Sequence, residues 1–507
     1  MSPPRRRARG LALAVALAAL AVYGGLFVVH AVAMARFPYQ TDYGEGPLLS
    51  QARLLASGHD PYRSDAVAPY TVANYPPVYP LLVAALQRTT AARGFGPSRA
   101  LAGTATLTAA VLAAATVRTL LRRAGRVGWP AAVVPPLAAS LLLCQPDIWL
   151  WGSLGRVDAL ALAWTMTGIY AIARQPERAD RTWPWFLLAV LTRQSAVEGL
   201  ATALWYLWPQ RRAVAVRLGL RWAGALAVVV AALQVVTGGQ FLQQIVVANV
   251  NTWTPGAALG AWLGWLFVNG GLPLLAGAAW GWRLARDLPD GRLLRGFAVS
   301  AWAVSLTVGK VGSSVNYFFP TIAACALLAA LVPLAPRRSG LAAALLVAYA
   351  VGLGPLADGR GLGGMALRSL TAYRDLGTPG YDRMGWRVPA NGNDPAQRQL
   401  VARLRSTPGP ILSENMGDLV LAGHRIFFQP FEMTRLYRAG RWNDAPLVRR
   451  AQTGGFGLVV LYFPLQDTAA WATDRWPRNL LAALAAHYQP AGRIGRFYLY
   501  RYHRQPA

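Results

Sequence analysis

The stretch from Tyr39 to Leu82, YQTDYGEGPLLSQARLLASGHDPYRSDAVAPYTVANYPPVYPLL, decides how the rest of the chain is read. It directly follows the first long apolar segment, and it is polar, aromatic and proline-rich where most of the sequence is not. Asp42 and Glu45 stand three residues apart within it. If Glu45 opens a helix the two share a face, because residues at i and i+3 are neighbours on a helix surface. Counting membrane crossings places every other polar group of interest on the same side as these two acids.

The composition makes that count meaningful. Of 507 residues, 54% are hydrophobic and only 14% charged, with a mean hydropathy of +0.31. About a quarter of a soluble chain is charged, so this one reads as a polytopic membrane protein. The formal net charge of +29 is almost entirely arginine, Lys310 being the sole lysine. The arginine clusters fall between apolar runs, as the positive-inside rule requires, and no nucleic-acid motif accompanies them, so a nucleic-acid partner is not expected. Cys144 and Cys325 both lie inside apolar runs. There a cysteine acts as a small hydrophobe, and neither a disulfide nor a metal site is expected from them.

MSPPRRRARG followed by an apolar run from Leu11 to about Ala33 has the charge pattern of a signal peptide. The run is too long for one and no small-x-small cleavage site follows, so it reads as the first transmembrane helix with its N-terminus in the cytoplasm. Val78 to Leu86, after Pro76-Pro77, is too short to cross about 30 Å of hydrocarbon and reads as an interfacial helix. Further spans follow at Ala100 to Leu121, Pro130 to Pro146 and Leu160 to Ala173. Two short helices meet near Arg193-Gln194, and a seventh span ends near Val236. Four more lie near Ala257 to Ala279, Phe297 to Val308, Phe318 to Leu334 and Leu341 to Val351.

The total is about eleven spans, with the C-terminus outside. From about Gly359 the sequence turns soluble in character, with strand-like runs at 410–412, 457–462 and 497–502 between helical stretches. The expected architecture is therefore an α-helical polytopic membrane region over residues 1–357 and an extracytoplasmic α/β domain over 358–507. Its first outer loop occupies residues 34–97, and the expected location is the cell membrane.

Parity leaves five polar features on the outer face: Asp42/Glu45, Arg156/Asp158 in GRVDAL, Arg193/Gln194 in LTRQSAV, Asn249/Asn251, and Lys310 with Asn316-Tyr317 in GKVGSSVNYFF. Ionisable groups at membrane depth are costly and mark function or a paired structural role. Taken singly, each is explained by snorkelling or by self-satisfied pairing. Several on one face beside an acidic loop are better explained by a polar cavity. Its cations would hold an anion such as phosphate, and a carboxylate would serve as general base. The plainer role for Asp42 or Glu45 is to cap or open the helix Gly46 to Leu55. Tyr70, Tyr75 and Tyr79 either anchor the interfacial helix or form a wall of the same cavity.

In order and sidedness, YQTDYGEG, LASGHDPY, NYPPVYPLL and LTRQSAV resemble the GT-C superfamily of polytopic membrane glycosyltransferases. The nearest groups are the protein mannosyltransferase and lipid A aminoarabinose transferase types. GKVGSSVNYFF, SENMGDLVLAG and FQPFEMTRLYRAGRWND are similar to uncharacterised bacterial members. This resemblance implies transfer of a sugar from a polyprenyl-phosphate carrier to an unnamed acceptor at the outer face. Asp42 stands where such families place the catalytic acid. Relatives with adjacent Asp-Glu differ from this chain, in which Tyr43 follows Asp42, so Glu45 remains the alternative base. The lysine that commonly precedes the proline pair is replaced by Asn74-Tyr75, leaving Arg156, Arg193 or Lys310 to contact phosphate. Substrate contacts are expected from these and from Asp158, Gln194, Asn316, Tyr317, Tyr75 and Tyr79. A divalent metal, used by some relatives, would draw oxygens from Asp42, Glu45 and Asp158, although no compact ligand motif is present. In the C-terminal region Glu414, Asp418, His424, Gln429, Glu432 and Asp444 are either acceptor contacts or turn and cap residues. A transporter or flippase with the same charges lining a path is the competing class, and a non-catalytic scaffold the third. No inverted repeat supports the transporter reading.

Overall fold

A computed structural model describes residues 3–335 and 394–503, apart from 65, 250 and 467–469, together with short strands at 380–381 and 387–388. The expected span Leu341 to Val351 and the boundary near Gly359 lie outside the described residues.

Helix α1 (Pro3–Arg36) delivers the chain to the polar stretch. There α2 (Glu45–Ala56) buries Leu48, Leu49 and Ala52 and packs on α3 (Val78–Thr90). Thirteen residues make α3 about 20 Å long, short of the hydrocarbon thickness. Tyr79, Val83 and Ala84 face the protein, whereas Leu81 and Leu82 are exposed, which gives the helix the two-sided character of an interfacial element. Beyond it α4 (Gly96–Arg123) packs against α1, α5 (Trp129–Leu143) and α7 (Asp158–Arg174), with the short α6 (Pro146–Trp151) between the last two. The two short helices expected around Arg193 are α8 (Trp183–Thr192) and α9 (Glu198–Leu207), and α10 (Arg212–Val236) follows.

Among the described residues, three helices are long and apolar enough to cross a membrane singly: α4, α10 and the stretch Val315–Leu334. The expected single span at Ala257 to Ala279 is instead two pieces, Pro255–Val268 and Gly271–Asp287, bent 89° at their junction. Gly270 adopts φ +74°, a left-handed conformation that ends a helix, and a side chain at Gly271 would meet the Trp265 ring. The sequence NGG at 269–271 is the local signal for that break. The helix Gly291–Ser305 then packs on α9 and on Phe319–Ala329, closing one continuous apolar core.

The two ends of this bundle differ. At one end the loops expected in the cytoplasm meet through Arg123–Asp290 at 3.0 Å and Arg221–Asp180 at 2.5 Å. At the other, the loops expected outside converge under residues 394–503. That last region carries a four-stranded mixed sheet, distinct from the two-residue pair β1 (Gly380–Tyr381) and β2 (Arg387–Val388). Strand β3 (Ile411–Ser413) runs parallel to β4 (Leu458–Leu461), β6 (Phe497–Tyr502) pairs antiparallel with β4, and β5 (Tyr488–Ile494) forms the outer edge. Strands β3, β4 and β6 lie where the sequence placed them. β5 was not anticipated, because Pro490 and Gly492 interrupt it and only its hairpin with β6, bulged between those residues, holds it in the sheet.

The sheet region is stitched to the first loop through two backbone hydrogen bonds and one to a side chain. Tyr70 N–H donates to Phe427 O at 2.8 Å, Gln429 N–H donates to Tyr70 O at 2.9 Å, and Val72 N–H donates to Gln429 Oε1 at 2.9 Å. This places the helix Pro430–Arg438 directly over the polar stretch.

Candidate active site

The converging loops enclose a polar cavity of about 350 Å³. Asp42, Arg156, Arg193, Gln194, Lys310, Asn316, Tyr317 and Tyr75 all line it, as expected from the sequence. Glu45, Asp158 and Tyr79 do not.

The Asp42–Glu45 segment shows why. Glu45 opens α2, but its side chain folds inward, where Arg99 from α4 meets it through Nε at 2.8 Å and Nη2 at 2.7 Å. Both side chains are wholly buried. Glu45 also accepts from Thr41 N–H and Oγ1–H and from Gly155 N–H, while Arg99 donates to Met34 O, Phe37 O and Tyr39 O. This pair clamps the loop between α1 and α2 to α4 and to the turn before α7. Burial alone would raise the Glu45 pKa, yet the Arg99 charge and these hydrogen bonds outweigh it and bring it down to about 2.

Asp42 points the other way, into the cavity. Its Oδ1 accepts from Gly44 N–H at 3.0 Å and lies 3.1 Å from Arg156 Nη1. Burial raises its pKa above the ordinary aspartate value, the Arg156 charge opposing only part of that rise. A partly buried carboxylate with a raised pKa, open to a cavity, is well placed to accept a proton. Gly44 makes this geometry attainable, since a Cβ there would overlap the Arg156 guanidinium. Arg156 also donates to Tyr75 Oη at 3.1 Å and lies over the Trp151 ring.

Asp158, the first residue of α7, is a tether behind the wall. It accepts from Trp151 Nε1 and from Asn316 Nδ2, each at 2.8 Å, and pairs with Arg193 Nη1 at 3.2 Å. Arg193 is thereby held over the Tyr317 ring, its Cζ 4.3 Å from the ring centroid. Gln194 caps backbone carbonyls of Asn74 and Ile245. Lys310 donates to Asn249 Oδ1 at 3.3 Å, and burial lowers its pKa. Tyr79 is turned into the core, its hydroxyl donating to Ser98 O at 3.0 Å, so it is a packing residue rather than a substrate contact.

A divalent-metal centre does not fit these acids. Asp42, Glu45 and Asp158 are each committed to a different arginine, and no group of three Asp, Glu, His or Cys ligands exists among the described residues.

Two charged cavity groups come from the C-terminal region. Glu432 accepts from Tyr43 Oη–H at 2.9 Å and from Asn74 Nδ2 at 3.2 Å. Arg475, which sequence reading did not select, pairs with Glu414 and lies 4.4 Å from the centroid of the Tyr43 ring. Of the other C-terminal polar residues, Gln429 lines the cavity, Asp418 accepts from Asn415 Nδ2, and the His424 ring nitrogen Nε2 contacts Leu404 O. Arg99 was also missed. Its only signal is an arginine at the start of an otherwise apolar span.

The fold, a helical bundle roofed by a mixed α/β segment, is shared with two solved structures, an ArnT and an oligosaccharyltransferase. The chain superposes on ArnT from Cupriavidus metallidurans bound to undecaprenyl phosphate with a TM-score of 0.57 at 16% identity, over 97% of this chain and 98% of that one. It is also similar to the oligosaccharyltransferase AglB from Archaeoglobus fulgidus in complex with an inhibitory peptide and a dolichol-phosphate. That likeness has a TM-score of 0.51 at 12% identity, over 95% of this chain and 74% of that one. No protein-family profile matches the sequence, and no curated protein sequence does.

Proposed function

We propose that this chain is an integral membrane glycosyltransferase that moves a sugar from a polyprenyl-phosphate carrier to an acceptor at the outer face of the cell membrane, with residues 358–507 extracytoplasmic. One observation carries the reading. The polar cavity adjoins a largely apolar groove of about 450 Å³ between the bent helix pair and the loop 308–318, and Lys310 to Ser314 line both. A ligand with an anionic head beside Arg193 and Lys310 and a long apolar tail along Trp265 and Phe318 suits this junction. The neighbouring folds, one with undecaprenyl phosphate and one with a dolichol-phosphate, support the same ligand class.

In the proposed step Asp42 removes the proton from an acceptor hydroxyl as its oxygen attacks the anomeric carbon. The bond from that carbon to the phosphate oxygen breaks, and polyprenyl phosphate leaves with the electron pair. Arg193 and Lys310 stabilise the charge that develops there. Glu45, held by Arg99, takes no part.

The test uses purified protein in lipid nanodiscs with a panel of radiolabelled polyprenyl-phosphate sugars. Wild type should release polyprenyl phosphate from one donor, and Asp42→Asn should lower the rate by about 10²- to 10⁴-fold while still binding undecaprenyl phosphate. Undiminished release by Asp42→Asn removes Asp42 from the mechanism. If wild type neither binds nor turns over any donor, the transferase reading falls.

A further inference from the structure

The cavity has two chemically different walls. Arg156, Arg193 and Lys310 make one of them cationic, while the other is built of Glu432, Gln429 and Asn74, beside the rings of Tyr43 and Phe431 and an Arg475 that is paired with Glu414. The second wall exists because the C-terminal region supplies it. Helix Pro430–Arg438 enters between the first loop and Gly312, where a Cβ would come 3.0 Å from the Phe431 ring. Tyr43 fixes the entry twice, its hydroxyl oxygen accepting from Phe431 N–H at 3.0 Å and its proton going to Glu432 Oε2.

Glu432 differs in its partners from four other acids of the site and its surroundings. Asp42, Glu45, Asp158 and Glu414 each have an arginine partner. Among the described residues Glu432 makes no ion pair: its hydrogen-bond donors Tyr43, Asn74 and Gln429 are neutral, and Arg475, whose charge also acts on it, is paired with Glu414. An ionised carboxylate offers about four lone-pair sites. Such an acid at a cavity wall, flanked by amides and aromatic faces, has the chemistry that holds a sugar: paired hydroxyls donate to the carboxylate while ring C–H groups rest on the aromatic rings.

We infer that Glu432 is the acceptor-recognition residue of this cavity and that the acceptor group it reads is the hydroxyl-bearing ring of a saccharide. The inference rests on the transferase reading for which partner is the acceptor. It does not rest on that reading for what Glu432 binds. A displacement in which the carrier phosphate departs along the cationic wall leaves the Glu432 wall to the incoming nucleophile. Glu432 would orient the acceptor ring so that one of its hydroxyls faces Asp42.

The test is a pair of binding measurements on full-length protein in nanodiscs, made with wild type, Glu432→Gln and Tyr43→Phe. The probes are undecaprenyl phosphate, and methyl glycosides of glucose, mannose and arabinose followed by saturation-transfer NMR. Wild type should bind at least one glycoside. Glu432→Gln, which keeps the side-chain shape, should weaken that binding about 10- to 100-fold, the loss expected for hydrogen bonds to a charged group, with undecaprenyl phosphate affinity unchanged. Tyr43→Phe should give a smaller loss in the same direction. Unchanged glycoside binding by Glu432→Gln overturns the inference, as does absence of glycoside binding by wild type. Parallel loss of both ligands also overturns it, because Glu432 would then only hold the fold. If wild type fails to bind undecaprenyl phosphate, the transferase reading fails, and the glycoside arm still decides what Glu432 does.

Discussion

Asp42 and Arg156 form an ion pair at 3.1 Å at the cavity wall, and the guanidinium occupies the space that any side chain at residue 44 would need. One glycine thus sets the distance between the proposed base and its cationic neighbour. Gly44→Ala should push Arg156 away from Asp42, lowering kcat by about 10- to 100-fold, the scale expected when a catalytic group is displaced by an ångström or so. Its melting temperature should stay near that of wild type. Wild-type activity in Gly44→Ala would show that the Asp42–Arg156 geometry is irrelevant to turnover.

Glu45 and Arg99 form the opposite kind of pair, wholly buried and hydrogen-bonded on every side. Removing one partner leaves the other charge uncompensated, so Glu45→Gln or Arg99→Leu should cost about 3–5 kcal/mol of stability. The double variant Glu45→Leu/Arg99→Leu should recover part of the loss. Thermal unfolding in detergent, monitored by tryptophan fluorescence, reads all three. A Glu45→Gln protein as stable as wild type but catalytically dead would instead favour Glu45 as the base.

The same carboxylate predicts a pH dependence of stability. The Glu45 pKa in the fold lies at about 2, below its ordinary value. Its ionised form therefore stabilises the protein above the ordinary glutamate pKa, and this contribution is lost as pH falls from there toward about 2. Across that window the melting temperature of wild type should fall more steeply than that of Glu45→Gln. Parallel curves would contradict the assignment.

Activity should show a different titration. Burial holds the Asp42 pKa above its ordinary value against the opposing Arg156 charge. A base works only when deprotonated, so the acidic limb of kcat/KM should lie above the ordinary aspartate pKa of about 3.9. Arg156→Gln removes the opposing charge and should move the limb further up. A limb that moves down, or does not move, would mean that another group titrates.

Arg193 lines the cavity with its guanidinium held by Asp158, Asn316 O and the Tyr317 ring. Arg193→Ala should weaken undecaprenyl phosphate binding about tenfold or more, in line with loss of a charge-assisted hydrogen bond. Asp158→Asn should weaken it less, because Arg193 would lose its tether but keep its charge. Equal affinity in all three proteins would place the phosphate elsewhere.

Much of the site was legible because membrane crossing is a one-dimensional constraint. Apolar runs and arginine clusters fix parity, and parity alone put Asp42, Arg156, Arg193 and Lys310 on one side. Side-chain direction is not written in parity. Glu45 and Tyr79 lie in the same stretch as Asp42 and Tyr75, and both turn inward, Glu45 because Arg99 from a distant span waits there and Tyr79 because it lies on the buried face of α3. The segment expected as one straight span at Ala257 to Ala279 is bent for a local reason: hydropathy reads straight through NGG, whereas Gly270 in a left-handed conformation turns the chain by 89°.

The sequence by itself determined the membrane class, the polar first loop, three of the four strands β3 to β6, and the set of cations that meet it. These follow from composition and period, which act over neighbouring residues. Only the tertiary structure decided which of two acids faces the cavity, that Asp158 holds Arg193 from behind, and that Glu432 and Arg475 complete the cavity lining. Each of those outcomes depends on a partner far away in the chain, and the low-dielectric interior makes pairing there obligatory: a buried charge settles wherever its counter-charge and hydrogen-bond donors have been brought.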